Sequence, residues 1–179
     1  MNAVGHIVSS AVAGLGVGTL TGSPETGTAF FLAGWAIDLD HALDFTRQWG
    51  PREALTRMAR MGLGEHNRTE TVYLFFHGYE ISALLWLLAA LFPASPWLLG
   101  TAMGHLFHLL LDQVTNLKGW RPTYFLFYRA LNRFSHDVCF PDRRVAAPLG
   151  ASSFWRPVPQ EAVVESVSEE RPRTSPPGP

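Results

Sequence analysis

Histidines and carboxylates recur at helical spacing inside four apolar segments, and this juxtaposition limits what the chain can become. The segments cover about 5 to 20, 28 to 43, 72 to 92 and 97 to 115, all in windows whose length favours helix. Thr21-Gly22-Ser23-Pro24 separates the first pair and Pro93-Ala94-Ser95-Pro96 the last pair, the punctuation of tight helix-helix connections. The chain therefore reads as all-α, two helical hairpins forming a four-helix bundle. The span between the hairpins, Asp44 to Thr71, is polar, carries Arg47, Arg52, Arg57, Arg60 and Arg68, and holds a short amphipathic helix from Arg52 to Met61 that begins after Pro51.

The ionisable groups fall in sets. His105, His108 and Asp112 stand at i, i+3 and i+7; at about 100° per residue they share one helix face, as ligands supplied by one helix to one site do. His77 and Glu80 at i and i+3 repeat the pattern on the preceding segment, and Asp38 and His41 repeat it again at the end of the second. His6 is a lone polar residue near the start of the first segment, open to an interfacial or hydrogen-bonded role as well as to a ligand role. Asp40 is compatible with a helix end. Alternating up and down, the four segments bring all these sets to the same end of the bundle. His105 lies about 10 Å from Asp112 along the helix axis and fits a single ion least well.

Composition decides the surroundings. Hydrophobic residues make up 47 % of the 179-residue chain and charged residues only 16 %, which points to lipid contact rather than disorder. Each ionisable group in an apolar membrane helix costs about 2.5 to 3.5 kcal/mol by insertion scales, so retaining this many calls for a compensating partner, which a divalent cation supplies. A single cysteine, Cys139, excludes a disulfide framework and a thiolate cluster. Imidazole and carboxylate donors suit Zn, with Mn or Fe next, as one or two ions. All 14 Lys and Arg residues lie in 44 to 71 or after Thr115. By the positive-inside rule this places both termini and the long loop in the cytoplasm, in a multi-pass protein of the inner membrane. A soluble all-helical domain with two buried hairpins is the alternative. The N-terminus lacks the basic stretch of a secretory signal, so the first helix is expected to be retained. A net charge of -1 gives nucleic acid no basic footprint.

The aromatic run Trp120 to Arg129 suits either a membrane interface or a helix capping the bundle. His66 is compatible with a surface position, Asn116 with a helix C-terminal cap, and His136 and Asp137 with either the rim of the site or the surface. The expected organisation is a helical membrane domain over 1 to 156, with short peripheral helices, and a disordered Pro-, Ser- and Glu-rich tail over 157 to 179.

The ordered set His6, Asp38-Leu39-Asp40-His41, His77 with Glu80, and His105 to Asp112 resembles the bacterial inner-membrane metal-dependent hydrolases. It is more distantly similar to zinc-dependent phospholipase C. That resemblance covers about 1 to 117 and implies metal ligation by His6, Asp38, His41, His77, Glu80, His108 and Asp112. The membrane family's commoner His-Arg-Gly-Xaa-Thr-His motif is represented here by Phe76-His77-Gly78-Tyr79-Glu80, with Glu80 in place of the second histidine. The expected activity is hydrolysis of a phosphoester or lipid-like ester by metal-activated water, with Asp40 or Glu80 as general base. A non-catalytic protein held by a structural metal or a His/carboxylate network, and an ion transporter, are the competing readings.

Overall fold

A glycine closes the first helix and a serine opens the second. In the computed structural model, which describes residues 3–62, 69–115 and 122–140, α1 (Ala3–Thr21) ends at Gly22 with φ 64°. Gly22 N donates to Thr19 O and Ser23 N to Gly18 O, a Schellman closure that needs the left-handed conformation. The Ser23 side chain then accepts from Thr26 N at 3.2 Å, with Pro24 at the first helical position of α2 (Pro24–Ala36).

After Ala36 the chain does not continue as the single helix expected to residue 43. A 3-10 turn, Ile37–Leu39, leads into α3 (Asp40–Trp49). On one regular helix Asp38 and Asp40 would point about 200° apart, yet both are buried. The break in helical geometry lets both carboxylates face inward. α4 (Pro51–Gly62) matches the expected amphipathic helix and is tied to α3 by Arg57, whose guanidinium lies 3.8 Å over the Trp49 ring.

The third apolar segment also differs from expectation. Residues 72–77 are non-helical, and α5 (Tyr79–Leu91) begins only after them. α6 (Pro96–Thr115) follows, with Leu98 N donating to Ser95 Oγ. α7 (Leu126–Leu131) and the single turn α8 (His136–Cys139) complete the described residues. An isolated antiparallel bridge joins Thr71 to Ser135, and no strand occurs among the described residues.

α2 is the central helix, packed against α6 on one side and α1 on the other. Its approach to α6 requires glycine: a Cβ on Gly100 would lie 2.2 Å from Thr26 O, and one on Gly104 2.2 Å from Phe30 O. Small residues four apart let two helix backbones meet this closely. The resulting interior is unusually polar. His6, Asp40, His77, His108 and Asp112 are buried, whereas Val12, Leu15 and Leu20 on α1, Leu87 and Leu91 on α5, and Leu110 and Val114 on α6 are exposed. Among the described residues one helix, Val4–Thr21, is long and apolar enough to cross a membrane, and Tyr79–Leu91 is apolar but shorter.

Candidate metal centre

Backbone geometry at the end of α2 fixes the chemistry of His108. The last four carbonyls of a helix lack intrahelical partners, and that of Gly34, in this final turn, accepts a hydrogen bond from His108 Nδ1 at 2.7 Å. With Nδ1 carrying the proton, the Nε2 lone pair is free and faces the other donors. It lies 3.5 Å from Asp38 Oδ1 and 3.5 Å from Asp112 Oδ2.

Around this imidazole the other elements deliver their groups. His6, in the first turns of α1, stacks on His108 with ring centroids 4.1 Å apart, and its Nε2 is 2.8 Å from Asp112 Oδ1. Asp112 sits one turn beyond His108 on α6 and also accepts from the Tyr124 hydroxyl at 3.2 Å. His77, at the end of the 72–77 strap, points Nε2 toward Asp38 Oδ1 at 3.6 Å and Nδ1 toward Asp40 Oδ2 at 3.5 Å. His41, on the first turn of α3, places its ring 5.2 Å from that of His77. Asp38 and His41 form the more accessible edge of a group otherwise closed from solvent.

Three overlapping donor sets result: His6, Asp38 and His108; Asp38, His41 and His77; and His77, His108 and Asp112. In each, one ligand atom per residue lies within 4.8 Å of the others. Buried ring nitrogens of His77 (Nε2), His108 (Nε2) and His6 (Nδ1) make no hydrogen bond. Separations of 3.5 and 3.6 Å are too long for good hydrogen bonds. They lie within about 0.2 Å of the edge of a tetrahedron of donors about 2.1 Å from a central ion, which is about 3.4 Å. The buried, unbonded Nε2 atoms of His77 and His108, at ligand-edge spacing from Asp38 and Asp112, fit a divalent cation.

Of the expected site residues, the structure brings together His6, Asp38, His41, His77, His108 and Asp112, and not Glu80 or His105. Glu80 lies in the first turn of α5, where its two carboxylate oxygens accept from Leu126 N at 2.9 Å and Phe127 N at 3.0 Å, capping α7. His105 Nε2 donates to Phe76 O at 2.8 Å. Its one-turn offset from His108 carries it past the cluster to the strap backbone. Asp40 belongs to neither extreme: Oδ2 accepts from Phe76 N at 2.7 Å and faces His77 Nδ1, while the buried Oδ1 makes no hydrogen bond. His136 lies 3.9 Å from its neighbour Asp137, and neither belongs to the three donor sets. His66, Asn116 and the tail from 157 lie outside the described residues.

Three residues that support the centre carried little signal in the sequence. Asp44, the first residue of the polar span between the hairpins, is buried and accepts from Tyr73 N at 2.9 Å. Burial pushes its carboxyl up to about 6, against the opposing effect of that amide. Tyr124 and Arg129 come from the aromatic run, whose alternation of rings and arginine looks the same at a membrane interface. Both are buried here. Comparison with family models, curated proteins and solved structures gives no match, so the chemistry of this centre rests on its own geometry.

Proposed function

We propose that the chain is a membrane-embedded, metal-dependent hydrolase acting on a phosphoester or lipid-like ester, in keeping with the family its motifs resemble. One observation carries this reading. Imidazole nitrogens of His77 and His108 that make no hydrogen bond meet carboxylate oxygens of Asp38 and Asp112, delivered by three separate elements, at 3.5 to 3.6 Å in the interior of the bundle. His6, Asp38, His41, His77, His108 and Asp112 would hold one or two ions, zinc first and Mn or Fe next. A bound divalent ion supplies a lowered water pKa and polarisation of a phosphoryl or acyl oxygen. The chain's own residues set the remaining terms. Gly34 O fixes the ring orientation of His108 through a 2.7 Å hydrogen bond, and Asp40 faces the Nδ1 side of His77 at 3.5 Å. Asp40 Oδ1 is the buried, unbonded proton acceptor assigned here as general base. Glu80 is not assigned that role, because its carboxylate serves the α7 amides.

The inside-out distribution of polarity supports a bilayer setting, and the restriction of Lys and Arg to 44 to 71 and the region after Thr115 is the ground for an inner-membrane orientation with both termini cytoplasmic. Leu15 is 75 % and Leu20 89 % exposed, while His108 is fully buried, the reverse of the usual preference in water. α1 and α6, of 19 and 20 residues, are about 28 to 30 Å long and match a hydrocarbon core, whereas α2 and α5, of 13 residues each, are about 20 Å. The two shorter helices leave the centre at one end of the bundle, within reach of an amphiphile whose ester lies at headgroup level.

Metal analysis of the detergent-purified protein tests the reading. Stoichiometric zinc, manganese or iron is expected in the wild type, with loss in Asp38→Ala and His108→Ala. A metal-free wild type, or unchanged content in both variants, overturns it. A phosphodiesterase and esterase screen then separates enzyme from scaffold: activity absent in Asp40→Ala supports hydrolysis. A metal-loaded protein without activity favours a structural centre, a reading consistent with the burial of His6, His77 and His108.

A further inference from the structure

The strap that carries His77 has almost no secondary structure to hold it, and buried side chains take its place. Tyr73 N donates to Asp44 and Phe76 N to Asp40, while His105 Nε2 donates to Phe76 O. Two carbonyls go to one residue: Arg129 Nη2 donates to Leu74 O at 2.7 Å and Arg129 Nη1 to His77 O at 3.0 Å. Nη1 also donates to Thr123 O at 3.0 Å, anchoring the guanidinium in its own segment. Leu74 has φ 41°, left-handed backbone that a branched side chain occupies only when its surroundings hold it there. Its carbonyl is clasped by Arg129 and by His77 N, which donates at 3.0 Å. Arg129 has no exposed surface, and burying a charged group so completely is costly unless hydrogen bonds offset the lost hydration, which here come from the carbonyls of Leu74, His77 and Thr123.

We propose that Arg129 is a positioning residue for the metal centre: its guanidinium fork spans the carbonyls of Leu74 and His77 and thereby sets where the His77 imidazole stands. This rests on the metal reading above. The planar fork reaches two acceptors in different directions from one rigid group; a lysine ammonium retains the charge but offers a single nitrogen. Arg129 belongs to α7, which Glu80 caps, so the segment after α6 completes the site.

The test uses full-length protein in detergent, titrated with Co(II), whose visible bands report ligand geometry, and with Zn(II) against a chromophoric chelator. Arg129→Lys and Arg129→Met are compared with His77→Ala and with Arg52→Ala, a control on the exposed face of α4. Expected for both Arg129 variants is a loss of affinity of about 10- to 100-fold, altered cobalt bands, and faster amide exchange across 72–78 with α6 unchanged. Adding Arg129→Lys to His77→Ala should cost no further affinity, since both act on one ligand. Wild-type affinity and spectrum in Arg129→Lys, or fully additive losses in the double variant, overturns the positioning role. If wild type binds no cobalt, the metal reading fails by itself. Amide exchange then decides the anchoring alone, with unchanged exchange of 72–78 in Arg129→Lys overturning it. Should Arg129→Met fail to fold, Arg129→Lys carries the comparison.

Discussion

His6 Nε2 lies 2.8 Å from Asp112 Oδ1, joining the opening turns of α1 to the closing turns of α6. The pair is buried, and Asp112 faces His108 with its other oxygen, so a single carboxylate links the first and last of the long helices to the centre.

Removing one partner of that pair strands the other. Asp112→Asn is expected to lower metal content and to destabilise the protein by about 3 to 5 kcal/mol, the usual consequence of breaking a buried pair from one side. Thermal melts with and without chelator check it. The wild type should lose stability on chelation, by about 2.7 kcal/mol if metal had been present at 100 times its dissociation constant. Asp112→Asn should show a much smaller chelator effect.

Backbone proximity between α2 and α6 predicts a contrast among glycines. Gly104→Ala places a Cβ 2.2 Å from the Phe30 carbonyl, which has no flexible end to yield, so a loss of about 1 to 3 kcal/mol or more is expected. It should also weaken metal binding, because separating the helices pulls His108 from Gly34 O. Gly16→Ala on α1 meets nothing within 4 Å and should be neutral or stabilising by up to about 1 kcal/mol. Equal melting temperatures for the two variants would contradict the close packing.

Glu80→Ala separates a cap from a ligand. Loss of the acceptors for Leu126 N and Phe127 N should cost about 0.5 to 2 kcal/mol and leave the metal content of the purified protein as in the wild type. A metal-free Glu80→Ala protein would place this carboxylate back among the ligands.

Asp44 makes a pH prediction. Its carboxyl titrates at about 6 in the fold against an ordinary 3.8, so the folded state holds the proton more tightly than the unfolded chain does. Its stabilising contribution is full below about pH 4 and is lost as pH rises through 6. Asp44→Asn keeps an acceptor for Tyr73 N and has no such loss. The melting temperature of the wild type minus that of Asp44→Asn should therefore fall between pH 4 and pH 7, a difference from which the histidines cancel.

Much of the helical frame was legible because its signals are local. Gly22 and Ser23-Pro24 mark the first hairpin turn and Pro51 the start of α4, and each acts within a few residues of itself. Spacing likewise grouped His108 with Asp112, which one helix presents together. Two boundaries were not legible. Apolar composition carried the second helix past Ala36 and began the third at 72, whereas the structure breaks both to turn Asp38, Asp40 and His77 inward. Periodicity reports which residues are apolar, and it is silent where buried polar groups replace the helical hydrogen bonds.

The sequence by itself determined an all-helical chain and a set of His and carboxylate donors at one end of its long helices, since helix periodicity and alternating direction are properties of the chain alone. Tertiary structure decided which donors meet. His105 and Glu80 carry the right chemistry at the right spacing, yet one serves Phe76 O and the other the amides of Leu126 and Phe127. Arg129, an inconspicuous residue in an aromatic run, instead became the buried clasp of His77. The reason is physical: a non-helical strap buried in a helical bundle must have its backbone groups satisfied by whatever polar side chains packing brings near, and those partners are 29 to 55 residues away in the chain.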